Sequence, residues 1–284
     1  MKRAERDGLH RFAMHGLAVR GAFVSLDDTW QAIRLRNLAP PPAEQLLGEA
    51  VAATALMASR IKVDGRVTLQ LQGDTRLKLL MAECTSTGTH RGVLSVNPEL
   101  SNDWSLEATS PGSVLTITIE NARQERYQGI VEITGNTLAD ALTGYFTHSE
   151  QLDTRLWLSA NNDRAAGLIV QRLPERSAED PDGWNRITHL AATVTAEELL
   201  GLSAGALADR LFAEEELNWE PRKALSFDCP CSRQRVAEVL TALGDEALRD
   251  DIEGGEIVTV DCEFCNEQYT FDAVDLRMLV SQND

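Results

Sequence analysis

The hydrophobic pattern changes its period along the chain, and the predicted elements fall into blocks. Residues 43–61 form a long stretch rich in Ala, Leu and Met with only three charged residues, which is typical of a largely buried helix. Between residues 63 and 134 apolar and polar residues alternate, which predicts five short strands separated by turns such as Gly73-Asp74. Short turns favour antiparallel pairing. Because strands and helices do not alternate, the pattern predicts an α+β fold with an antiparallel-sheet-rich N-terminal domain.

A shift in composition divides the chain into three parts. Residues 174–183 are rich in Pro, Gly and charged residues, as is typical of a connection between domains. Helical patterns follow at residues 185–194 and 203–216, and Thr195 with Glu198 matches a helix capping box. The sequence therefore predicts a core domain at residues 1–175, an acidic helical linker at 176–222 and a small C-terminal domain at 223–284.

The predicted linker is apolar on one face and strongly charged elsewhere. Between Thr195 and Glu220 it has seven acidic residues and one basic residue, Arg210. Like charges repel along such a segment, and short helices gain most of their stability from packing. The linker is therefore expected to be stable only when its apolar face docks on another part of the protein.

The formal charge is concentrated towards the C-terminus. Residues 178–284 contain 24 acidic and 8 basic residues, whereas residues 1–177 contain 20 and 19. Nearly the whole net charge of −17 thus lies in the last third of the chain. A protein that binds nucleic acid presents a basic face to the phosphates, so this distribution argues against a nucleic-acid partner.

The sequence lacks the signals of a membrane or exported protein. It has no apolar run of about 18 residues, the length that spans a bilayer. Its first residues, 1–7, are mostly charged and lack the apolar core of a signal peptide. We therefore expect a cytoplasmic protein without a membrane partner, in which thiols stay reduced.

Four of the five cysteines form two tight pairs near the C-terminus. Cys229 and Cys231 flank Pro230, and two residues separate Cys262 from Cys265. Two such pairs supply four thiolates that can converge on one ion, and all-sulfur tetrahedral sites are typical of zinc. The sequence thus predicts a zinc site formed by Cys229, Cys231, Cys262 and Cys265.

Two further expectations concern a disulfide at Cys229 and the fifth cysteine, Cys84. Pro230 has a fixed φ and restricts Cys229, so a disulfide between Cys229 and Cys231 is expected to be strained and readily reduced. Cys84 lies alone in an apolar stretch and is most simply a buried core residue.

These residues alone leave more than one class of protein open. A structural zinc ribbon that serves as an interaction module fits the cysteine pairs. A thiol-disulfide oxidoreductase fits less well, because Cys262 and Cys265 are predicted in a hairpin, flanked by acids, rather than at the start of a helix. The sequence has no phosphate-binding loop, nucleophile elbow or metalloprotease motif, and its five histidines are scattered, so nothing supports an enzyme.

The cysteine spacing, together with other stretches, resembles the thirty-three-kilodalton heat-shock chaperone family, whose members are redox-regulated bacterial holdases. Cys229-x-Cys231 and Cys262-x-x-Cys265 stand thirty residues apart, as in that family. Similar stretches occur at residues 19–22 (VRGA), 145–151 (YFTHSEQ), 167–174 (GLIVQRLP) and 227–233 (FDCPCSR). The resemblance covers essentially the whole chain.

The resemblance implies how the cysteines are used. In reduced members of the family, zinc on the four thiolates folds the C-terminal domain and keeps the protein inactive. Oxidation is expected to pair Cys229 with Cys231 and Cys262 with Cys265 and to expel the zinc. Because metal-binding energy is folding energy in so small a domain, loss of zinc should unfold it.

The resemblance also implies a partner and an activity. Once the domain unfolds, the linker is expected to expose its apolar face to unfolding client proteins, and the active form is a homodimer that uses no ATP. The candidate client-binding residues are Leu199, Leu200, Leu207, Leu211, Phe212, Leu217 and Trp219. We therefore expect a redox-regulated, ATP-independent holdase rather than an enzyme. The alternative is a constitutive zinc-ribbon interaction module attached to an α+β domain.

Overall fold

The computed structural model describes residues 7–59, 64–73, 76–97, 99–106, 113–133, 135–174, 180, 182–243 and 245–280. The chain divides into two compact units, Met1–Asp228 and Cys229–Asp284. The predicted boundary between residues 175 and 176, and most of the predicted connection at 174–183, lie outside the described residues.

The first unit combines strands and helices. Its strands are β1 (Gly8–Met14), β2 (Val19–Leu26), β3 (Gly65–Gln72), β4 (Leu77–Thr85), β5 (Thr89–Val96), β6 (Val114–Asn121), β7 (Arg126–Val131), β8 (Thr154–Ala160), β9 (Ala165–Arg172), β10 (Leu217–Trp219), β11 (Lys223–Ala224) and β12 (Ser226–Phe227). Its helices are α1 (Asp28–Arg34), α2 (Pro41–Ala58), α3 (Leu138–His148), α4 (Gly183–Ala191), α5 (Ala196–Gly201) and α6 (Ala204–Leu211).

The strands form two sheets that are antiparallel almost throughout. Sheet A has the order β10-β1-β2-β9-β8, and β11 also pairs with β1. Sheet B has the order β12-β5-β4-β3-β6-β7, in which only the β12–β5 pair is parallel. This architecture confirms the predicted α+β fold with antiparallel sheets.

Helix α2 lies between the two sheets. It packs on β2, β8 and β9 of sheet A and on β3, β4 and β5 of sheet B. Fourteen of its eighteen residues are buried, so the helix must be apolar on nearly every side, as the Ala- and Leu-rich sequence predicts. The packing is close: a Cβ added at Gly48 would lie 2.4 Å from the Cβ of Ala160.

The opposite face of sheet A carries a second apolar core. Side chains alternate along a strand, so Ala22 and Val24 belong to the core around α2 whereas Phe23 belongs to the second core. Helices α4, α5 and α6 cover this second core with residues such as Leu207 and Phe212. The predicted linker is thus a layer of the first unit, docked on sheet A.

Three features of this region differ from the sequence-based expectation. The helix predicted at residues 203–216 ends at Leu211, because Phe212 leaves the helical conformation (φ −128°, ψ 35°) and buries its ring in the second core. Residues 217–219 then form β10 on β1. Residues 223–228, expected in the C-terminal domain, belong to the first unit: they pair with β1 and β5 and bridge the two sheets. We call residues 223–228 the strap.

The second unit is small. It contains α7 (Arg233–Leu243), α8 (Asp245–Gly254), β13 (Val258–Asp261), β14 (Gln268–Phe271) and α9 (Ala273–Val280). The β13–β14 hairpin, with Val258 opposite Phe271, agrees with the prediction, whereas α8 was not anticipated. Among its described residues, the buried apolar core consists of Leu240, Leu248, Phe271 and Leu276.

A four-cysteine candidate metal centre

Local structure brings the four paired cysteines of the second unit together. Cys229 and Cys231 precede α7, and Cys262 and Cys265 lie in the turn between β13 and β14. All four sulfur atoms lie within 4.8 Å of one another. Two separations between the pairs are 3.7 Å, from Cys229 Sγ to Cys262 Sγ, and 3.2 Å, from Cys231 Sγ to Cys265 Sγ. All five cysteines of the chain are free thiols in the structure.

These separations fit one tetrahedral metal ion. With zinc–sulfur bonds of about 2.3 Å, the sulfurs of a tetrahedral site are about 3.8 Å apart. The observed separations bracket this value. Four sulfur ligands without oxygen or imidazole donors select zinc or iron–sulfur chemistry over hard cations. The cluster can therefore hold a metal ion of this class.

The turn between β13 and β14 is shaped to present two of the sulfurs. The backbone N–H of Cys262 donates to Glu267 O at 2.9 Å, and the N–H of Asn266 donates to Cys262 O at 2.7 Å. Asn266 has a φ of 59°, in the left-handed region that Asn tolerates better than most residues. This tight turn directs the side chains of Cys262 and Cys265 to the same point.

The surroundings of the sulfurs act in opposite directions on their pKa values. Burial disfavours the thiolate of Cys262, but the N–H groups of Cys265 and Phe264 donate to its sulfur and outweigh burial, so its pKa lies below the ordinary value. Burial raises the pKa of Cys265, and the neighbouring sulfurs of Cys231 and Cys262 raise it further. Four thiolates at this spacing therefore need a cation to be stable together.

Tyr269 joins the cluster, although the sequence analysis did not identify it. Its hydroxyl donates to Cys231 Sγ at 3.2 Å, and this bond raises the pKa of the phenol. The sequence signal was its position in β14, two residues from Phe271 and so on the same face of the strand. A hydroxyl donor to a sulfur stabilises the thiolate form that a metal ion requires.

A small apolar core and a few polar contacts accompany the cysteine cluster in the second unit. Arg233 lies over the Phe271 ring, with its guanidinium carbon 4.2 Å from the ring centroid, and forms an ion pair of 2.6 Å with Asp275. Among the described residues, four buried apolar side chains form a core much smaller than that of the first unit. A domain of this size has a small stability margin, and natural small domains commonly add a metal ion or disulfides to their core.

Most of the candidate client-binding residues are buried in the first unit. Leu199, Leu207, Leu211 and Phe212 are buried, Leu200 and Leu217 pack against the same core, and Trp219 is 43% exposed. The ring centroids of Phe212 and Phe12 of sheet A are 6.0 Å apart. The docked linker therefore hides most of its apolar face.

Specific ion pairs hold the acidic linker in place. Arg186 of α4 binds Glu215 at 2.8 Å and Asp180 at 2.6 Å. Arg210 of α6 binds Glu198 at 2.8 Å. The predicted capping box is present, since Thr195 accepts from the N–H of Glu198, whose carboxylate accepts from the N–H of Thr195. The ion pairs and the capping box therefore both stabilise the docked linker.

A carboxyl group lies beneath the docked linker. Glu49 of α2 lines a cavity of about 290 Å³ together with Thr195, Ala196 and Leu199 of the linker and Leu156 of β8. Burial raises the pKa of Glu49 to about 7. The covered carboxyl is therefore largely protonated at slightly acidic pH, and its ionisation opposes the docked arrangement.

Taken with the fold, the cluster defines a class: an α+β protein that carries a small C-terminal unit with a four-thiol site able to hold a metal ion. A family model described as Hsp33 protein matches residues 7–272. The chain belongs to the Hsp33 family.

Individual relatives agree with this assignment. The 33 kDa chaperonin of Ectopseudomonas mendocina is 42% identical over 280 residues, which cover 96% of this chain and 95% of the relative. The 33 kDa chaperonin of Nitrosococcus oceani is 40% identical over 277 residues, with coverage of 98% and 95%. The crystal structure of the 33 kDa chaperonin of Thermotoga maritima has a TM-score of 0.82 at 21% identity, covers 97% of this chain and 98% of its own, and so shows the same fold.

The helices give no indication of a membrane span. No helix in the part of the chain that the structure describes is long and apolar enough to cross a bilayer.

Proposed function

We propose that this protein is a redox-regulated, ATP-independent holdase that binds unfolding proteins under oxidative stress. The observation that carries the proposal is the convergence of four sulfurs within 4.8 Å in a unit whose described residues include a core of four buried apolar side chains. In such a unit the free energy of metal binding is a large part of the free energy of folding. Chemistry at the thiols therefore decides whether the unit is folded.

The reduced protein is proposed to hold one Zn²⁺ on Cys229, Cys231, Cys262 and Cys265. When bound, the ion would neutralise the charge of the clustered thiolates. The hydroxyl of Tyr269 and the N–H groups of Phe264 and Cys265 would keep donating to the sulfurs. These donors orient the ligands and fix the inactive, folded state.

Oxidation is proposed to join near neighbours, Cys229 with Cys231 and Cys262 with Cys265, on the strength of the family resemblance. For each disulfide, two thiolates give up two electrons to one peroxide molecule, and the solvent supplies two protons. The O–O bond of the peroxide breaks, and two water molecules form. A disulfide sulfur is no longer a thiolate ligand, so both bonds together remove the metal site.

Loss of the folded second unit is proposed to free the linker. The chain runs from the docked linker through β10 and the strap directly into Cys229, so unfolding of the second unit leaves the C-terminal end of this segment joined to unfolded chain. Once released, residues such as Leu207, Leu211 and Phe212 would present an apolar surface to clients. The linker ion pairs and the second core set how much heat this release requires.

The partners follow from the same argument. The proposed clients are unfolded or oxidatively damaged proteins in the cytoplasm, and the oxidised form is proposed to be a homodimer, as the resemblance implies. The net charge of −17 disfavours nucleic acid as a partner. No chemical step on a client is required, so the protein is proposed to act without enzymatic turnover.

The deciding experiment compares the reduced, zinc-loaded protein with the protein after peroxide at mild heat. Light scattering by a thermally unfolding client reports holdase activity, and a colorimetric chelator reports released zinc. We expect client protection only after oxidation, together with zinc release. Equal protection before and after peroxide would favour the constitutive zinc-ribbon interaction module instead.

Peptide mapping of the oxidised protein tests the proposed disulfides. We expect bonds within each pair, with Cys229–Cys231 the more readily reduced of the two because Pro230 strains its loop. Mapping that finds mainly Cys231–Cys265, whose sulfurs are 3.2 Å apart in the reduced arrangement, would refute this pairing.

A further inference from the structure

The fifth cysteine forms a buried pair with a histidine in the first unit. Cys84 near the end of β4 and His90 in β5 face each other in the antiparallel register, and both are 1% exposed. The distance from Cys84 Sγ to His90 Nε2 is 3.4 Å. The other ring nitrogen, Nδ1, is buried and has no hydrogen-bond partner among the described residues. A fully buried imidazole with an unmet polar atom is costly to keep in a core, so it calls for an explanation.

The strap is hydrogen-bonded to the hairpin that carries this pair. Ser226 N donates to Gly88 O at 3.1 Å, and Asp228 N donates to His90 O at 3.1 Å. Lys223 Nζ donates to the carbonyl of Ser86. The side chain of Leu225 is 7% exposed and belongs to the same apolar cluster as Cys84. The hairpin that carries Cys84 and His90 is therefore closed by the six residues that run into Cys229.

The charged groups around the pair are few. Lys223 of the strap faces both side chains, and Glu83 lies next to Cys84 and binds Arg91 at 2.9 Å. Burial raises the pKa of Cys84 to about 12, against the opposing effect of Lys223, and lowers the pKa of His90 to about 3. While the strap is closed, the thiol and the imidazole are both neutral and unreactive.

We propose that Cys84 is a latent thiol-modification site, with His90 as its proton acceptor, that peroxides and small electrophiles reach only when the strap opens. Once water enters, His90 can take the thiol proton while the sulfur attacks one oxygen of a peroxide. The O–O bond breaks, and the leaving hydroxide accepts the proton to form water. The product is a sulfenic acid at Cys84, and the peroxide is reduced.

This proposal depends on the proposed function only for the event that opens the strap in the wild-type protein. Its test uses strap variants of the full-length, reduced, zinc-loaded chain, so that opening does not require the redox switch. Labelling of Cys84 by iodoacetamide is followed by mass spectrometry of the peptide that contains it. Failure of the proposed function has a separate readout, the release of zinc and the protection of clients.

The main variant is Leu225→Ala, which removes the buried anchor of the strap. We expect the labelling rate of Cys84 to rise at least about tenfold, because a large-to-small change at a buried Leu favours local opening. The matched control is Leu100→Ala, the same change at a residue that is 5% exposed in the same core but outside the strap. The control should leave the rate close to that of the wild type.

If Leu225→Ala does not fold, Ser226→Pro serves instead, because it removes the N–H that donates to Gly88 O and leaves the core intact. Hydrogen exchange of the strap amides shows independently whether the strap is open. An unchanged Cys84 rate with open strap amides would overturn the proposal. So would an equal increase in Leu225→Ala and Leu100→Ala, since the thiol would then respond to loosening of the whole core.

The role of His90 has its own test in the Leu225→Ala background. With His90 as proton acceptor, labelling of Cys84 should extend to pH values well below the ordinary thiol pKa. His90→Gln should slow labelling about tenfold near pH 6.5 and leave it unchanged above pH 9, where the thiol ionises unaided. Identical pH profiles with and without His90→Gln would overturn the assignment of His90.

Discussion

Substitution of Phe212 gives a quantitative test of how strongly the linker docks on sheet A. Its ring is 2% exposed and lies 6.0 Å from that of Phe12 and 6.5 Å from that of Phe23, measured between centroids. Phe212 belongs to the linker, whereas both partners belong to sheet A. The change Phe212→Ala therefore removes contacts that exist only while the linker is docked.

The magnitude follows from this burial. Replacing a buried Phe by Ala costs about 3–5 kcal/mol, including the cavity left behind. Because about 1.4 kcal/mol corresponds to a factor of ten, the equilibrium constant for linker release should rise about 10²- to 4 × 10³-fold. We expect peroxide-treated Phe212→Ala protein to protect a client at a lower temperature than the wild type does.

The assay is client light scattering over a temperature series after peroxide, with limited proteolysis of the linker in parallel. Leu202→Ala is the matched control, because Leu202 lies in the same segment but is 39% exposed. Circular dichroism checks that the first unit stays folded in both variants. If the two variants activate at the same temperature and are cleaved at the same rate, the second core does not restrain the linker.

Three further predictions follow from the site and the linker. The reduced protein should bind one zinc ion, and Cys262→Ser should lose it while Cys84→Ser retains it, as measured by a metal assay. Glu215→Gln should slightly lower the activation temperature, because it weakens the ion pair with Arg186. The pKa of Glu49, about 7, lies above its unfolded value of about 4.3, so its contribution to stability is present at acid pH and is lost as pH rises through 7. Glu49→Gln should remove this dependence and stabilise the protein at pH 8 by on the order of 2 kcal/mol, measured by denaturant unfolding.

Each of these has a result that would contradict it. Zinc retained by Cys262→Ser, or lost by Cys84→Ser, would move the metal site elsewhere. For the linker, the control is Glu214→Gln, a neighbouring acid outside the Arg186 ion pair; equal shifts in the two variants would mean that net charge, and not the pair, matters. A stability profile of Glu49→Gln that parallels the wild type between pH 5 and 8 would show that Glu49 does not titrate as its burial indicates.

The parts of the molecule that the sequence predicted well are those with strong local signals. Two cysteine pairs with a characteristic spacing were enough to predict which sulfurs converge. The composition of residues 43–61 was enough to predict a largely buried helix, observed at Pro41–Ala58, because a helix that is apolar on all sides is stable only inside a core. Alternation was enough for most of sheet B, where short turns join β3 to β4, β4 to β5 and β6 to β7.

The parts that were missed depend on pairing between distant residues. Strands β10, β11 and β12 are two or three residues long, and their partners lie in β1 and β5, far away in the sequence. No local pattern distinguishes so short a strand from a turn or the end of a helix. The contact of Cys84 with His90 likewise depends on the register of one hairpin, so Cys84 by itself indicated only burial.

The pairing of β10 with β1 has a consequence for the released protein. In the docked state, Phe12 lies opposite Trp219 and Met14 opposite Leu217, and Glu220 N donates to Arg11 O. When residues 217–220 leave, the part of β1 that β10 covered becomes an open edge of the five strands that remain in sheet A, with unpaired N–H and C=O groups beside a newly exposed aromatic cluster. Open edges pair readily with any extended chain. Activation would therefore expose the backbone N–H and C=O groups of β1 as well as an apolar surface. These groups can pair with an unfolded segment of any sequence.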